Sequence, residues 1–235
     1  MDFDGQTSLL NIIEQDLGKT ERELFRSAFS DHELLANQAR ELQNLPLAAL
    51  FLAAASLGDY RSEELRPVAV GLELLRLAAE KHYKEKADGS VSRNLSLVTA
   101  DFYYAQAISL AAKLKRGYVV EQMVKAIAEL ASEEAAGSKG ETSFRSDVGV
   151  GLFRAAARLG ILLGNCRPDL AGTLDAFALS LGRIYRMHSG EASTHRPGFS
   201  IELNQIKERA FGSLRGLPAE QGRFLKALVS SLLLP

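Results

Sequence analysis

Apolar residues recur at intervals of three and four along nearly all of this chain, and this spacing limits the possible folds more than any other feature. It places apolar side chains on one side of an α-helix, whereas a half-buried strand alternates residue by residue. No segment shows a sustained alternation. The sequence therefore predicts an all-α protein of about nine or ten helices with short connections.

The helix boundaries follow from glycine, proline and capping residues. Residues 46–57 are apolar all round, which predicts a helix buried on several sides, with Pro46 in its first turn. In the first helix the residues expected to face inward are Leu9, Ile12, Ile13, Leu17, Leu24 and Phe25. The predicted helices cover about 8–29, 30–44, 46–57, 62–84, 92–115, 118–136, 144–164, 168–188, 199–215 and 218–234.

Length and composition limit the classes of protein to which this chain can belong. The 235 residues contain no internal repeat or linker, so we expect one domain, 1–235. A net charge of -1 gives no general attraction to nucleic acid or anionic membranes. The single Cys166 excludes an internal disulfide and is expected to be an inert thiol. With an acidic N-terminus and no stretch of about 20 apolar residues, we expect neither a signal peptide nor a transmembrane segment, and a cytoplasmic protein.

Four stretches, taken in order, resemble a known family. They are 71–78 (Gly-Leu-Glu-Leu-Leu-Arg-Leu-Ala), 95–105 (Leu-Ser-Leu-Val-Thr-Ala-Asp-Phe-Tyr-Tyr-Ala), 151–160 (Gly-Leu-Phe-Arg-Ala-Ala-Ala-Arg-Leu-Gly) and the terminus from Leu214 to Leu232. Together they look like the trans-polyprenyl diphosphate synthases. The resemblance implies an isoprenoid-synthase-like helical bundle, shortened relative to a usual catalytic subunit.

The departures from the family's pattern concern its chemistry. Its enzymes hold magnesium with two Asp-Asp-x-x-Asp motifs, because magnesium prefers carboxylate oxygens. Here the first position reads His82-Tyr83-Lys84-Glu85-Lys86-Ala87, and the second reads Arg186-Met187-His188-Ser189-Gly190-Glu191. The basic Gly-Lys-x-x-Arg-Pro motif is replaced by 41–46 (Glu-Leu-Gln-Asn-Leu-Pro), and a Lys-Thr pair by Val148-Gly149. No two Asp residues are adjacent anywhere in the chain.

This combination resembles the small, non-catalytic subunit (component one) of heterodimeric heptaprenyl and hexaprenyl diphosphate synthases. The resemblance implies a chain that is inactive alone and supports prenyl-chain elongation by a catalytic polyprenyl diphosphate synthase subunit, in isoprenoid or menaquinone side-chain biosynthesis. Magnesium is expected only in that partner, and no cofactor in this chain. When isolated, the chain is a possible homodimer.

The candidate site lies on the helix predicted at 92–115. Asp101 sits among apolar neighbours, either as a remnant that orders a subunit interface or as a structural or partly exposed carboxylate. The aromatic cluster beside it is expected to pack in the core, to meet a partner helix or to line a prenyl tunnel. The residues of this candidate interface or tunnel are Asp101, Phe102, Tyr103, Tyr104, Leu97 and Ile108.

Two other functions stay open at this level. One is an isoprenoid- or lipid-binding protein on a degenerate synthase fold. The other is an enzyme of different chemistry on that fold, although no nucleophile, base and orienting residue can be assembled from the sequence.

Overall fold

The computed structural model describes residues 9–28, 45–84, 92–137, 149–189 and 198–233. Within these ranges there are nine α-helices and no strand, which confirms the all-α prediction. The predicted helix at 30–44 lies outside the described residues. In chain order the helices are α1 (Leu9–Ala28), α2 (Pro46–Ala55), α3 (Ser62–Lys84), α4 (Ser92–Lys113), α5 (Gly117–Gly137), α6 (Val150–Leu163), α7 (Leu170–Ser189), α8 (Phe199–Ser213) and α9 (Ala219–Leu232).

Helix α2 is buried over its whole length, as its apolar sequence predicts. It packs against α1, α3, α6 and α9, so it has no side left for solvent. Pro46 occupies the first turn, where its missing N–H costs nothing. The residue before it, Leu45, has no side-chain acceptor to cap the helix. The free amides at the start of α2 therefore need a partner from elsewhere in the fold.

The side of α1 that faces the core differs in part from the predicted side. Ile13 and Leu24 are fully buried, as expected, but Phe25 is 53% exposed, so that part of the prediction is wrong. The buried stripe continues instead through Asp16 and Thr20. One residue along a helix turns the side chain by about 100°. Since Leu24 faces the core, Phe25 faces away from it, and polar residues take the places between.

The remaining helices surround this centre. Helix α3 packs on α1, α2 and α4, and α6, α7 and α8 pack successively against one another. Helix α4 makes its extensive contacts with α3 and α5. Helix α6 begins at Val150 after Gly149, which has a left-handed backbone (φ 85°). The predicted earlier start, at about 144, lies outside the described residues.

None of the described helices combines the length and the apolar character that crossing a membrane requires.

Candidate functional site

The six residues predicted to form an interface or a prenyl tunnel all lie on α4, but they do not converge on one pocket. Tyr103 is buried in the core, at 2% exposure, whereas Phe102 and Tyr104 are only partly buried. Leu97 and Ile108 are also partly buried. Asp101 points outward with its side chain 75% exposed, which matches the partly exposed alternative considered for it. The six residues are spread around the helix, so their proposed roles stay predictions.

The outer side of α4 carries short, weakly polar side chains. Its exposed residues follow one another at intervals of three or four, the spacing of a single helix face. Val98, at 64% exposure, is among the most exposed large apolar residues described. Asp101 is the only charged residue between Asn94 and Ala112. We call this face the α4 stripe, and its members are Asn94, Val98, Asp101, Ala105, Ser109 and Ala112.

At one edge of the stripe, Asp101 meets His82 from α3. The Nε2 of His82 lies 3.7 Å from the Oδ1 of Asp101, an ion pair when the imidazole is protonated. The imidazole also stacks on Tyr104, with 5.6 Å between ring centroids and 26° between ring planes. The His82 side chain is 25% exposed. A largely covered imidazole therefore lies beside the one carboxylate of the α4 stripe.

The interior holds a charged network that the sequence analysis did not predict. Glu73 is fully buried, and its Oε2 accepts a hydrogen bond from the Nε of Arg76 at 2.6 Å. The Nη1 of Arg76 donates to the Oε1 of Glu80 at 2.7 Å and to the hydroxyl of Tyr185 at 2.9 Å. Tyr185 in turn donates to Glu80. The spacing of residues 73, 76 and 80 puts three charges on one face of an apolar helix, and that signal was available in the sequence.

Burial is the largest single influence on the pKa values of Glu73 and Arg76 in this network. Burial raises the pKa of the Glu73 carboxyl, although Arg76 opposes the shift. Burial also acts to lower the pKa of Arg76, but the carboxylates of Glu73 and Glu80 more than offset this, so the guanidinium stays charged. Because Tyr185 belongs to α7, the network bridges α3 and α7 through long side chains. An apolar ligand bound between α3 and α7 would contact these buried charges. Separating the charges to admit the ligand would be costly, because a buried ion without a partner is unfavourable.

The same network locates the ends of two helices. Glu80 lies four residues before the end of α3 and Tyr185 four residues before the end of α7. Since these two side chains hydrogen-bond, each helix ends about 6 Å along its own axis beyond the bridge, so both ends lie close to it. The residues with described side chains beyond the bridge are Lys81 and His82 on α3 and Arg186, Met187 and His188 on α7. Imidazole and guanidinium groups do not fit magnesium, which takes oxygen ligands.

No group of three or more His, Cys, Asp or Glu side chains within the described ranges could hold a metal ion. The acidic residues Glu85 and Glu191 lie outside those ranges.

A surface groove lies between α1, α9 and the start of α2, and none of its lining residues belongs to the α4 stripe. Its volume is about 530 Å³. Leu17, Leu45 and Ala49 contribute apolar lining from one side, and Phe224 and Leu228 from the other. Two carboxylates, Glu14 and Glu21, also line it. The sequence gives no sign of this groove, because the groove forms only where the first and last of the described helices meet.

Cys166 is a free thiol that is about half-buried, and burial raises its pKa to about 11. The thiol is thus protonated and unreactive near neutral pH, in agreement with the expectation from the sequence.

A scan against models of known protein families finds no match for this chain. No curated protein matches it either.

Solved structures do match it over almost its whole length. A geranylgeranyl pyrophosphate synthase from Lactobacillus brevis superposes with a TM-score of 0.81 at 12% identity, covering 95% of this chain and 97% of that chain. A decaprenyl diphosphate synthase from Rhodobacter capsulatus gives 0.75 at 17%, covering 96% and 97%. A geranyl diphosphate synthase small subunit from Antirrhinum majus gives 0.71 at 17%, covering 95% and 99%. At such identities these similarities bear on architecture alone, and they show that this chain has the all-α fold of the trans-polyprenyl diphosphate synthases.

Proposed function

We propose that this chain is the non-catalytic small subunit of a heterodimeric polyprenyl diphosphate synthase. In this role it supports prenyl-chain elongation by a catalytic subunit, in the cytoplasm and in isoprenoid biosynthesis such as that of menaquinone side chains. The partner supplies the magnesium and the chemistry. The proposal rests on the combination of a synthase fold, an outer helix face with a single charge, and basic residues where the metal ligands of the family are expected.

The first support is the chemistry at the ends of α3 and α7. A departing diphosphate needs divalent cations, and these need clustered carboxylates. Both helix ends lie close to the Glu80–Tyr185 hydrogen bond, and the residues described beyond it include His82, Arg186 and His188. The resemblance in sequence places the two missing Asp-rich motifs at these same positions. This donor set is suited to a chain that leaves the metal chemistry to another subunit.

The second support is the α4 stripe as a surface for another helix. A solvated helix face normally carries charged side chains, whereas this one has a single charge over about 27 Å of helix. A stable interface buries about 800 Å² on each side, more than one helix face offers. Helix α5 adds exposed apolar residues, Tyr118 and Val124. The α4 stripe is therefore suited to helix-on-helix packing with the catalytic subunit as one part of a larger interface.

The third support is the similarity to a protein described as a geranyl diphosphate synthase small subunit. It shows that a chain with this fold is found in that role. The identity of 17% leaves the role itself as our proposal for this chain.

The test is a prenyl-transfer assay with three samples: this chain, the synthase from the same cell that carries the aspartate-rich motifs, and their mixture. We expect no turnover by this chain alone and a gain in product formation, by tenfold or more, in the mixture. Turnover by this chain alone would contradict the proposal, as would a mixture no more active than the catalytic chain.

The same assay locates the interface. Val98→Glu places a charge in the middle of the α4 stripe, and we expect it to abolish both the complex and the gain in activity. Ile201→Glu is a matched control, because Ile201 on α8 is 65% exposed against 64% for Val98. Loss of the complex in both variants, or in neither, would show that the stripe is not the docking surface.

One observation favours a second candidate, an isoprenoid- or lipid-binding protein. The groove between α1 and α9 is lined mainly by apolar side chains and is large enough for part of a lipid chain. Mass spectrometry of an organic extract of the purified chain distinguishes the two functions. A stoichiometric isoprenoid in that extract would favour the binding protein.

A further inference from the structure

Docking on the α4 stripe has an electrostatic cost that falls on one residue. Asp101 is the only charge between Asn94 and Ala112, and its side chain is now 75% exposed. Covering the stripe with a partner helix takes this carboxylate out of water. A carboxylate moved into an interface is unfavourable unless a positive group or several hydrogen bonds compensate it.

The chain carries a group that can compensate this charge. The Nε2 of His82 is 3.7 Å from the Asp101 carboxylate, close enough for an ion pair once the ring is protonated. A histidine side chain gains or loses its proton near neutral pH with small changes in its surroundings. Stacking on Tyr104 holds the ring in place on its other side.

Other charged side chains described near the helix end that carries His82 are Glu80 and Lys81 on α3 and Arg186 and His188 on α7. From α4, the titratable side chains in contact with the ring are Asp101 and Tyr104. On α3, the carboxylate of Glu80 is engaged with Arg76 and Tyr185. Lys81 is buried, at 5% exposure. Among the described residues, Asp101 is thus the acidic group that pairs with His82.

We propose that assembly of this chain with its partner takes up a proton, which resides on the His82–Asp101 pair. The inference rests on the proposed function, because it requires a partner on the α4 stripe. In the free chain, water solvates the Asp101 carboxylate, whose side chain is 75% exposed. In the complex, the desolvated carboxylate favours the protonated imidazole. Proton uptake on binding strengthens the complex as the pH falls, by up to about tenfold per pH unit.

The test measures affinity for the catalytic subunit between pH 6 and 8, together with calorimetry in two buffers of different ionisation enthalpy. We expect uptake of about one proton near pH 7 and tighter binding at pH 6 than at pH 8. His82→Gln is expected to remove the uptake and to weaken binding at pH 6. Asp101→Asn is expected to remove it and to bind more tightly than the unmodified chain at pH 8, because no charge is then buried.

These variants separate the outcomes. If proton uptake is absent, or persists in His82→Gln, the inference is overturned while the proposed function stands. If Asp101→Asn weakens binding equally at every pH, a cation of the partner compensates the carboxylate, and the inference is also overturned. If no complex forms at any pH, the proposed function falls and the inference with it. Circular dichroism of each variant verifies that the fold is retained.

Discussion

Glu73 serves two parts of the fold with its two carboxylate oxygens. One oxygen holds Arg76, and the other accepts the backbone N–H of Ala48 at 2.8 Å, in the first turn of α2. Helix N-termini are normally capped by the residue just before them, and here that residue is Leu45. A buried glutamate from the neighbouring helix takes over this role. The same side chain therefore caps α2 and anchors the bridge from α3 to α7.

Two variants test how much Glu73 contributes to the free energy of unfolding. Glu73→Gln is expected to lower the free energy of unfolding by roughly 3 kcal/mol, because it breaks a buried ion pair. Glu63→Gln is the matched control: it belongs to the same helix and pairs with Arg66 at the same spacing, but Glu63 is 82% exposed. Its expected cost is below about 1 kcal/mol. Denaturant unfolding followed by circular dichroism measures both, and equal effects would contradict the argument.

Asp16 links stability to pH. It is buried, and its carboxylate accepts hydrogen bonds from Ser62 at 2.7 Å, Tyr60 at 3.0 Å and Lys19 at 3.2 Å. Burial acts to raise its pKa, but these partners outweigh burial and the pKa of Asp16 is lowered. A lowered pKa in the folded state means that the carboxylate stabilises the fold above its ordinary range and that this contribution is lost as the pH falls. Asp16 thereby ties α1 to the start of α3 in a pH-dependent way.

We therefore expect the free energy of unfolding to decrease as the pH falls from about 5 through the lowered pKa of Asp16. In Asp16→Asn this pH dependence is expected to be shallower, with lower stability at pH 7. Urea titrations at a series of pH values measure the slope. A variant with the same slope as the unmodified chain would show that other carboxylates carry the acid sensitivity.

At the scale of elements, α2 and α6 approach closely because both lack large side chains at their contact. A methyl group on Gly160 would lie 2.5 Å from the carbonyl oxygen of Phe51 and 2.6 Å from the Cβ of Ala54. On Gly164 it would lie 2.4 Å from the carbonyl oxygen of Ala55. Backbone atoms cannot yield as a flexible side chain can. The alanine-rich sequence of α2, Gly160 in α6 and Gly164 directly after α6 thus have the same physical reason, the close approach of the two backbones.

Gly160→Ala is therefore expected to destabilise the protein by about 1–3 kcal/mol, since the added methyl group forces the two helices apart. Gly18→Ala on α1 is the control, because no atom lies within 4 Å of its added Cβ. There alanine is expected to stabilise by about 0.5–1 kcal/mol through its helix propensity. Thermal unfolding of the two variants should therefore shift in opposite directions. A shift in the same direction would contradict the packing argument.

At the scale of the whole molecule, one core connects all the helices. Buried residues in contact run from Ile13 on α1 to Leu232 on α9, and they include eight of the ten residues of α2. A core without a boundary favours unfolding as one unit. The single domain expected from the sequence stays a prediction, which equilibrium unfolding can test.

We expect one cooperative transition in urea, with the loss of helix by circular dichroism coinciding with the change in tyrosine fluorescence. The chain has six Tyr and no Trp, so tyrosine is the natural probe of packing. Tyr103 and Tyr185 report on different parts of the helix assembly. Two separate midpoints would show that the chain consists of two units.

Local chemistry in the sequence was enough to determine the helices and much of the core. The apolar spacing, Pro46 and the all-apolar run that begins there predicted α2 and its burial, and the missing Asp pairs were visible without any structure. These features depend on residues within a few positions of one another. Their effect on the backbone does not require knowledge of distant contacts.

The tertiary structure alone decided which faces and charges meet. It turned Phe25 outward, exposed Asp101 beside His82 and joined Glu73, Arg76 and Glu80 to Tyr185, more than one hundred residues away along the chain. The apolar residues of α4 are distributed around the whole helix, with no single apolar face. Its sequence therefore did not indicate which side would face solvent. A helix's period shows which residues share a face, but only the packing of its neighbours shows what that face meets.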